Sequence, residues 1–158
     1  MIRASLGAIL QPKVHSVSTI SRAWHARPTG ALGAVRWYSD KPVDPTITFE
    51  ELRERIKAEK PDNYTLIDVR EPDELAAGSI PTASNVPLSQ FADAFAFNPK
   101  DFEDTLGFEK PDTSDEVILY CKAGARSAAA SEYLKSLGYC RVRNYPGSYM
   151  EWASKNMN

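Results

Sequence analysis

The chain has 158 residues and a formal net charge of −2, but that near-neutrality averages two unlike segments: residues 1–39 carry five basic side chains and no Asp or Glu, while residues 40–158 carry 14 basic against 21 acidic ones, a net of −7. A body of this size is enough for one domain with its own core, no apolar run approaches the ~18 residues of a membrane span, and the acidic body lacks the basic face that a nucleic-acid binder needs. Two Cys make neither a disulfide scaffold nor a four-ligand zinc site without His, and His15 and His25 both precede residue 40, so the body offers no imidazole base for a Ser–His or Cys–His pair.

The first segment is acid-free and rich in Ser, Thr and Ala, with Arg3, Arg22, Arg27 and Arg36 scattered along it. That is the composition of a mitochondrial transit peptide; a secretory signal would show a continuous apolar stretch after the early charge. Arg36-Trp37-Tyr38-Ser39 resembles a mitochondrial processing site. Residues 1–38 are therefore expected to be a disordered, cleaved transit peptide, and the protein is expected in the mitochondrion, in its matrix. Residues 39–46, with Pro42 and Pro45, read as a linker, and residues 47–155 as the folded domain.

Thr48-Phe49-Glu50-Glu51 is a capping-box pattern, predicting a helix from Phe49 to about Ala58, before Pro61. Tyr64–Val69 is a short apolar run that predicts a buried strand. Pro72 suits the first turn of a short helix and Gly78 its exit. Ala83–Val86 predicts a short strand. Leu88–Phe97 and Pro99–Leu106 predict two helical pieces, with Phe91, Phe95 and Phe102 as core. Glu116–Tyr120 predicts a second buried strand, Ser127–Leu137 a helix stopped by Gly138, Arg141–Tyr145 a last strand and Ser148–Ser154 a last helix. Phe49, Tyr133 and Trp152 are expected in the core. Strands alternating with helices imply an α/β fold, a mostly parallel sheet covered on both faces.

Cys121-Lys122-Ala123-Gly124-Ala125-Arg126-Ser127 lies between a buried strand and a helix. The carboxyl end of a parallel strand is where open α/β sheets bind ligands. The following helix aims unpaired N–H groups and its positive dipole end at the loop. Gly124 lets the backbone curl into an anion-binding nest, and Lys122 and Arg126 add positive charge. A thiol in that field has a lowered pKa, and an Arg can grip an oxyanion with two N–H groups. A Cys alone at a strand end is more readily a core residue than a nucleophile; Gly124, Arg126 and Ser127 in register before a helix reverse that and favour a nucleophile at Cys121, working beside an anion without a general base.

Cys-x-x-Gly-x-Arg-Ser after an apolar strand resembles the active-site loop of the rhodanese (thiosulfate sulfurtransferase) family. Asp68-Val69-Arg70-Glu71-Pro72-Asp73-Glu74, Gly78-Ser79-Ile80-Pro81-Thr82-Ala83-Ser84-Asn85-Val86-Pro87, and Val142-Arg143-Asn144-Tyr145-Pro146-Gly147-Ser148 with Trp152 beyond it resemble three further motifs of that family, in order. The sequence departs from the family pattern at Ser79, where His is usual, at Thr82 and Ser148, where Gly is usual, and at Ala125, where many relatives carry a bulkier or basic residue.

The resemblance implies a rhodanese-like domain with a mostly parallel five-stranded sheet. It also implies a two-step sulfur transfer: Cys121 attacks the outer sulfur of thiosulfate or a related persulfide donor, and the persulfide then passes its sulfur to cyanide, glutathione or a protein thiol. Cys121 is the expected nucleophile, and Lys122, Ala123, Gly124, Ala125, Arg126 and Ser127 the expected substrate loop. Asp68 and Arg70 are expected in support, with Arg70 read as a structural ion pair with Glu74. No metal or other cofactor, no nucleic acid and no membrane span is expected, and the protein is expected to be a monomer. A rhodanese-related phosphatase would need five residues between Cys and Arg, and here there are four. A non-catalytic module of this fold would typically lack the Cys. A redox pair of Cys121 with Cys140 would join positions separated by a whole helix.

Overall fold

The computed structural model describes residues 43–58 and 63–156. The N-terminal segment with its candidate cleavage site, and Pro61, lie outside the described residues. Helix α1 spans Phe49–Lys57. Strand β1 (Tyr64–Asp68) leads into a 3-10 turn (Pro72–Ala77) and strand β2 (Ser84–Asn85). Helices α2 (Leu88–Ala96) and α3 (Pro99–Leu106) follow, then strand β3 (Glu116–Tyr120), helix α4 (Ala125–Ser136), strand β4 (Arg141–Asn144) and helix α5 (Ser148–Asn156). Among the described residues no helix is long and apolar enough to cross a membrane.

All strand pairings are parallel, in the order β2-β1-β3-β4. The expected five-stranded sheet is corrected to a sheet of four strands among the described residues. The segment before α1 reaches β4 at a single bridge, Thr46 to Asn144. It extends no further because Pro45 lacks an N–H to donate and the Thr46 carbonyl accepts from the Arg143 guanidinium, at 3.1 and 2.6 Å.

The pleat sorts side chains to two cores. Val117 and Leu119 face α2, α3 and α4 with Phe91, Phe95, Phe102 and Leu134; Ile118 and Tyr120 face α1 and α5 with Phe49, Leu52 and Trp152. The helices thus cover both faces, as the alternation predicts. Phe95 stacks edge-on against both Phe102 and Tyr139, while Tyr133 is only half-buried at the rim.

Capping differs from the sequence reading in two places. Thr48 Oγ1 accepts from Glu51 N–H at 3.2 Å, but the Glu51 carboxylate turns to Arg143 and Arg55 rather than back to Thr48. The complete capping box is at Glu71 and Glu74, around the Pro72 turn. Helix α4 begins two residues earlier than predicted, so Arg126 and Ser127 lie in its first turn and Gly124 is its N-cap.

The sheet order reverses beside β1: β2 lies on one side and β3 on the other. In open α/β sheets such a switch point, at the carboxyl ends of the strands, is where a ligand crevice opens. Arg70 follows β1 there and Cys121 follows β3.

Candidate active site

Cys121 directly follows β3, with its side chain buried. Its backbone is pinned from α5: the Tyr149 N–H donates to the Cys121 carbonyl at 2.9 Å, the Met150 N–H donates to the Lys122 carbonyl at 3.1 Å, and the Cys121 N–H donates to Ser148 Oγ at 3.2 Å. Sγ then accepts from the Gly124 N–H at 3.1 Å and faces the Ser127 hydroxyl at 3.6 Å. Burial pushes this thiol up, but the Ser127 hydroxyl and the N–H groups of Ser127, Ala123 and Gly124 outweigh it, and the thiol falls to about 7. Hydrogen bonds to the charged form and the positive end of α4 favour thiolate over thiol.

Gly124 is required twice. Its φ of +90° lies in the left-handed region, and a Cβ there would overlap the Pro146 carbonyl. Ala123 and Ala125 are exposed and contribute backbone rather than side chain. Lys122 is exposed, and no ion pair involves it among the described residues.

Arg126 is half-buried and committed to Glu74, with Nη1–Oε2 2.5 Å and Nη2–Oε1 2.8 Å. Those hydrogen bonds hold its guanidinium above its ordinary range, with a smaller contribution from the Cys121 sulfur. The Arg126 bond, set against a small opposing effect of burial, holds the Glu74 carboxyl down at about 2. Glu74 Oε2 also accepts from the Glu71 N–H at 3.2 Å, so the carboxylate is fixed by its own turn before Arg126 arrives. The expected pairing of Arg70 with Glu74 is therefore corrected: the Glu74 carboxylate belongs to Arg126.

Arg70 pairs instead with Asp68, Nη2–Oδ2 2.6 Å, both side chains almost fully buried. Burial works against the Arg70 charge and the Asp68 carboxylate more than offsets it. Arg70 also donates to the carbonyls of Glu74 at 3.3 Å and Gly78 at 2.8 Å. Tyr149 lies over its guanidinium at 4.1 Å and donates through its hydroxyl to the Ala77 carbonyl. A planar, five-donor cation is the side chain suited to bind that many acceptors at once. Asp68 and Arg70 thus fix the 3-10 turn that presents Glu74, and no hydrogen bond joins the Asp68 side chain to residues 121–127.

Two of the departures acquire a geometric meaning. Thr82 (φ 70°) and Ser148 (φ 52°) are the two non-glycine residues with positive φ among the described residues. The backbone keeps the left-handed conformation that glycine would take freely. Ser148 uses its side chain there: the hydroxyl accepts from the Cys121 N–H and donates to the Tyr145 carbonyl at 2.8 Å.

Sequence reasoning did not place Glu74, Ser148 or Tyr149 at the site. A signal for Glu74 was available in the acidic member of the Asp68–Glu74 motif, four residues after Arg70. Nothing local marks Ser148 or Tyr149, which arrive through the packing of α5 on the loop.

Cys140 is exposed, and its thiol donates to the Thr113 carbonyl at 3.2 Å. It precedes β4 whereas Cys121 follows the parallel β3, so the two sit at opposite ends of the sheet. A five-residue strand spans about 17 Å, far beyond the ~6 Å Cα separation of a disulfide.

A family model described as the rhodanese-like domain matches residues 48–155. The thiosulfate:glutathione sulfurtransferase of Saccharomyces cerevisiae is 41% identical over 107 residues, covering 68% of this chain and 76% of the relative. The mitochondrial thiosulfate sulfurtransferase RDL2 of the same organism is 36% identical over 142 residues, covering 89% and 92%. Among solved structures, the human single-domain sulfurtransferase TSTD1 superposes with a TM-score of 0.65 at 38% identity, covering 71% of this chain and 97% of that one. The strand-end cysteine loop thus sits in a chain that belongs to the rhodanese-like domain family.

Proposed function

We propose that this protein is a sulfurtransferase that moves the outer sulfur of thiosulfate, or of a related persulfide donor, to a thiol acceptor through a persulfide on Cys121. The observation that carries this reading is the Cys121 thiol, held near pKa 7 by the Ser127 hydroxyl and the N–H groups of Ser127, Ala123 and Gly124 at the start of α4. In the first step the Cys121 thiolate attacks the outer sulfur, the sulfur–sulfur bond of thiosulfate breaks, and sulfite leaves with the electron pair. The persulfide sits where the N–H groups of residues 123–127 stabilise negative charge on sulfur. Splitting the transfer into two displacements is nucleophilic catalysis.

In this reading Cys121 is the catalytic residue. Gly124 and Ser127, with the backbone of Ala123 and Ala125, line the sulfur, while Lys122 and Arg126 attract the anionic donor. Asp68 and Arg70 are positioning residues that act through the 3-10 turn. The names of the similar proteins support thiosulfate as donor and glutathione as one acceptor. The four-residue spacing from Cys121 to Arg126 favours sulfur over a phosphate. A mitochondrial location, in the matrix, with a transit peptide cut after Tyr38, fits the acid-free N-terminal segment and the mitochondrial relative. One domain spanning residues 47–155 and acting as a monomer completes the reading.

The test is sulfite release from thiosulfate in the presence of cyanide or glutathione. Wild type releases sulfite, and Cys121→Ser does not while keeping its circular dichroism spectrum. A Cys121→Ser protein with full turnover would sink the assignment.

A further inference from the structure

The two sides of the Cys121 site come from segments far apart in sequence, and one residue touches both. The 3-10 turn Pro72–Ala77 presents Glu74, and with it Arg126, yet none of its residues is buried. Polar contacts, rather than apolar packing, therefore set its position. At its entry the Glu71 carboxylate accepts from the Ser89 N–H at 3.2 Å and from the Ser89 hydroxyl at 2.8 Å. At its exit Arg70 donates to the carbonyls of Glu74 and Gly78, and Tyr149 of α5 completes the hold.

Tyr149 meets the 3-10 turn with its side chain and the cysteine loop with its main chain. Its ring lies 4.1 Å from the Arg70 guanidinium, and its hydroxyl donates to the Ala77 carbonyl. Gly78 leaves room for that contact, since a Cβ there would strike the Tyr149 hydroxyl. The Tyr149 N–H donates to the Cys121 carbonyl at 2.9 Å. A guanidinium stacked on an aromatic face and hydrogen-bonded at its edges has few orientations left, so Arg70 ties the 3-10 turn to α5. The same 3-10 turn places Glu74, whose two oxygens fix Arg126 at 2.5 and 2.8 Å. Fixed contacts thus run from α5 to the cation beside Cys121.

We propose that Tyr149 is a positioning residue for the anionic donor: by holding the 3-10 turn against α5 it sets the orientation of Arg126 at the Cys121 loop. The proposal rests on the sulfur-transfer reading above for the identity of that donor. It separates two tasks within the site. The thiolate depends on the Ser127 hydroxyl and the N–H groups at the start of α4, whereas the Tyr149 hydroxyl bonds elsewhere, to Ala77. Recognition of the anion depends on Arg126 and, through Glu74 and Arg70, on Tyr149.

Steady-state kinetics of the full-length protein at saturating cyanide give the first test. Tyr149→Leu keeps the N–H bond to Cys121 and loses both side-chain contacts, so KM for thiosulfate should rise about fivefold while kcat stays within about twofold. Tyr149→Phe keeps the ring on Arg70 and loses only the Ala77 contact, and should raise KM about threefold. In an Arg126→Ala background both effects should vanish, because the residue through which Tyr149 acts is gone; sites acting independently would keep their full factors. The midpoint of the pH profile should stay at about 7 in both variants. A shifted midpoint, or factors that persist in the Arg126→Ala background, overturn the positioning role.

A second readout needs no sulfur transfer. Alkylation by iodoacetate, an anion, is compared with alkylation by neutral iodoacetamide and followed by mass on the Cys121 peptide. The ratio of the two rates should fall about fivefold at Cys121 in Tyr149→Leu and stay unchanged at Cys140, at the far end of the sheet. An unchanged ratio at Cys121 overturns the positioning role whatever the turnover. A falling ratio in a protein whose wild type releases no sulfite with any acceptor supports the positioning role and overturns the sulfur-transfer reading instead.

Discussion

Glu74 grips Arg126 through both carboxylate oxygens, at 2.5 and 2.8 Å, so an internal acid occupies the end-on edge of the guanidinium beside Cys121. A guanidinium has five N–H donors, and this pair leaves the Nε edge for a donor anion. Arg126→Ala should raise KM for thiosulfate about tenfold, the loss of one charge-assisted hydrogen bond. Glu74→Gln keeps an acceptor for Arg126 and deletes a negative charge beside the donor, so KM should fall by about threefold at low salt, and less as salt screens the charge. Steady-state kinetics read both, and an unchanged KM in Arg126→Ala removes Arg126 from the donor site.

The Cys121 thiol at about 7 sets a pH profile. Thiolate is the nucleophile, so kcat/KM for thiosulfate should rise with pH up to about 7 and level off above it. The Ser127 hydroxyl is the strongest of the groups that lower this thiol. Ser127→Ala should move the midpoint upward by about one pH unit, since a hydrogen bond to a charged group is worth ~1.5 kcal/mol and one unit is 1.36 kcal/mol. A midpoint that stays in place shows that the N–H groups alone set the thiolate.

The sequence made the parallel sheet, the order of elements and the cysteine loop readable because each rests on a local pattern. The EVILY run of β3, the Pro72 entry to the 3-10 turn and the glycines at 124 and 138 are set by neighbours within a few residues. Partner choice was less legible. Arg70 has Glu74 four residues away in sequence, yet Asp68 captures it because β1 buries Asp68 and Arg70 together. Glu74 is left to meet Arg126, 52 residues on. Ser148 and Tyr149 reach Cys121 only through the docking of α5, a contact with no local signature.

Thr82 is exposed and holds a positive φ in the turn before β2. A β-branched residue is strained there, by about 1–3 kcal/mol, while glycine adds only a smaller entropic cost to folding. Thr82→Gly should therefore stabilise the domain by about 1 kcal/mol in denaturant unfolding. A stability loss would show that the Thr82 side chain makes a compensating interaction.

Glu116 opens β3 at the end of the sheet away from Cys121. Its buried carboxylate meets Arg55 at 2.7 Å, Arg141 at 2.9 Å and Arg143 at 3.6 Å. Removing one member of a buried ion network leaves uncompensated charge, at a cost of about 3–5 kcal/mol. Glu116→Ala should lower unfolding stability by that order and leave kcat unchanged below its melting temperature. A kcat that falls in step with stability would show that the network reaches the site.

The most direct test is the intact mass of the purified protein after incubation with thiosulfate and removal of the excess. A covalent persulfide intermediate predicts a gain of one sulfur atom, about 32 Da, located on the Cys121 peptide and lost on adding cyanide or glutathione. No added mass, or added sulfur on the Cys140 peptide instead, would contradict sulfur transfer through Cys121.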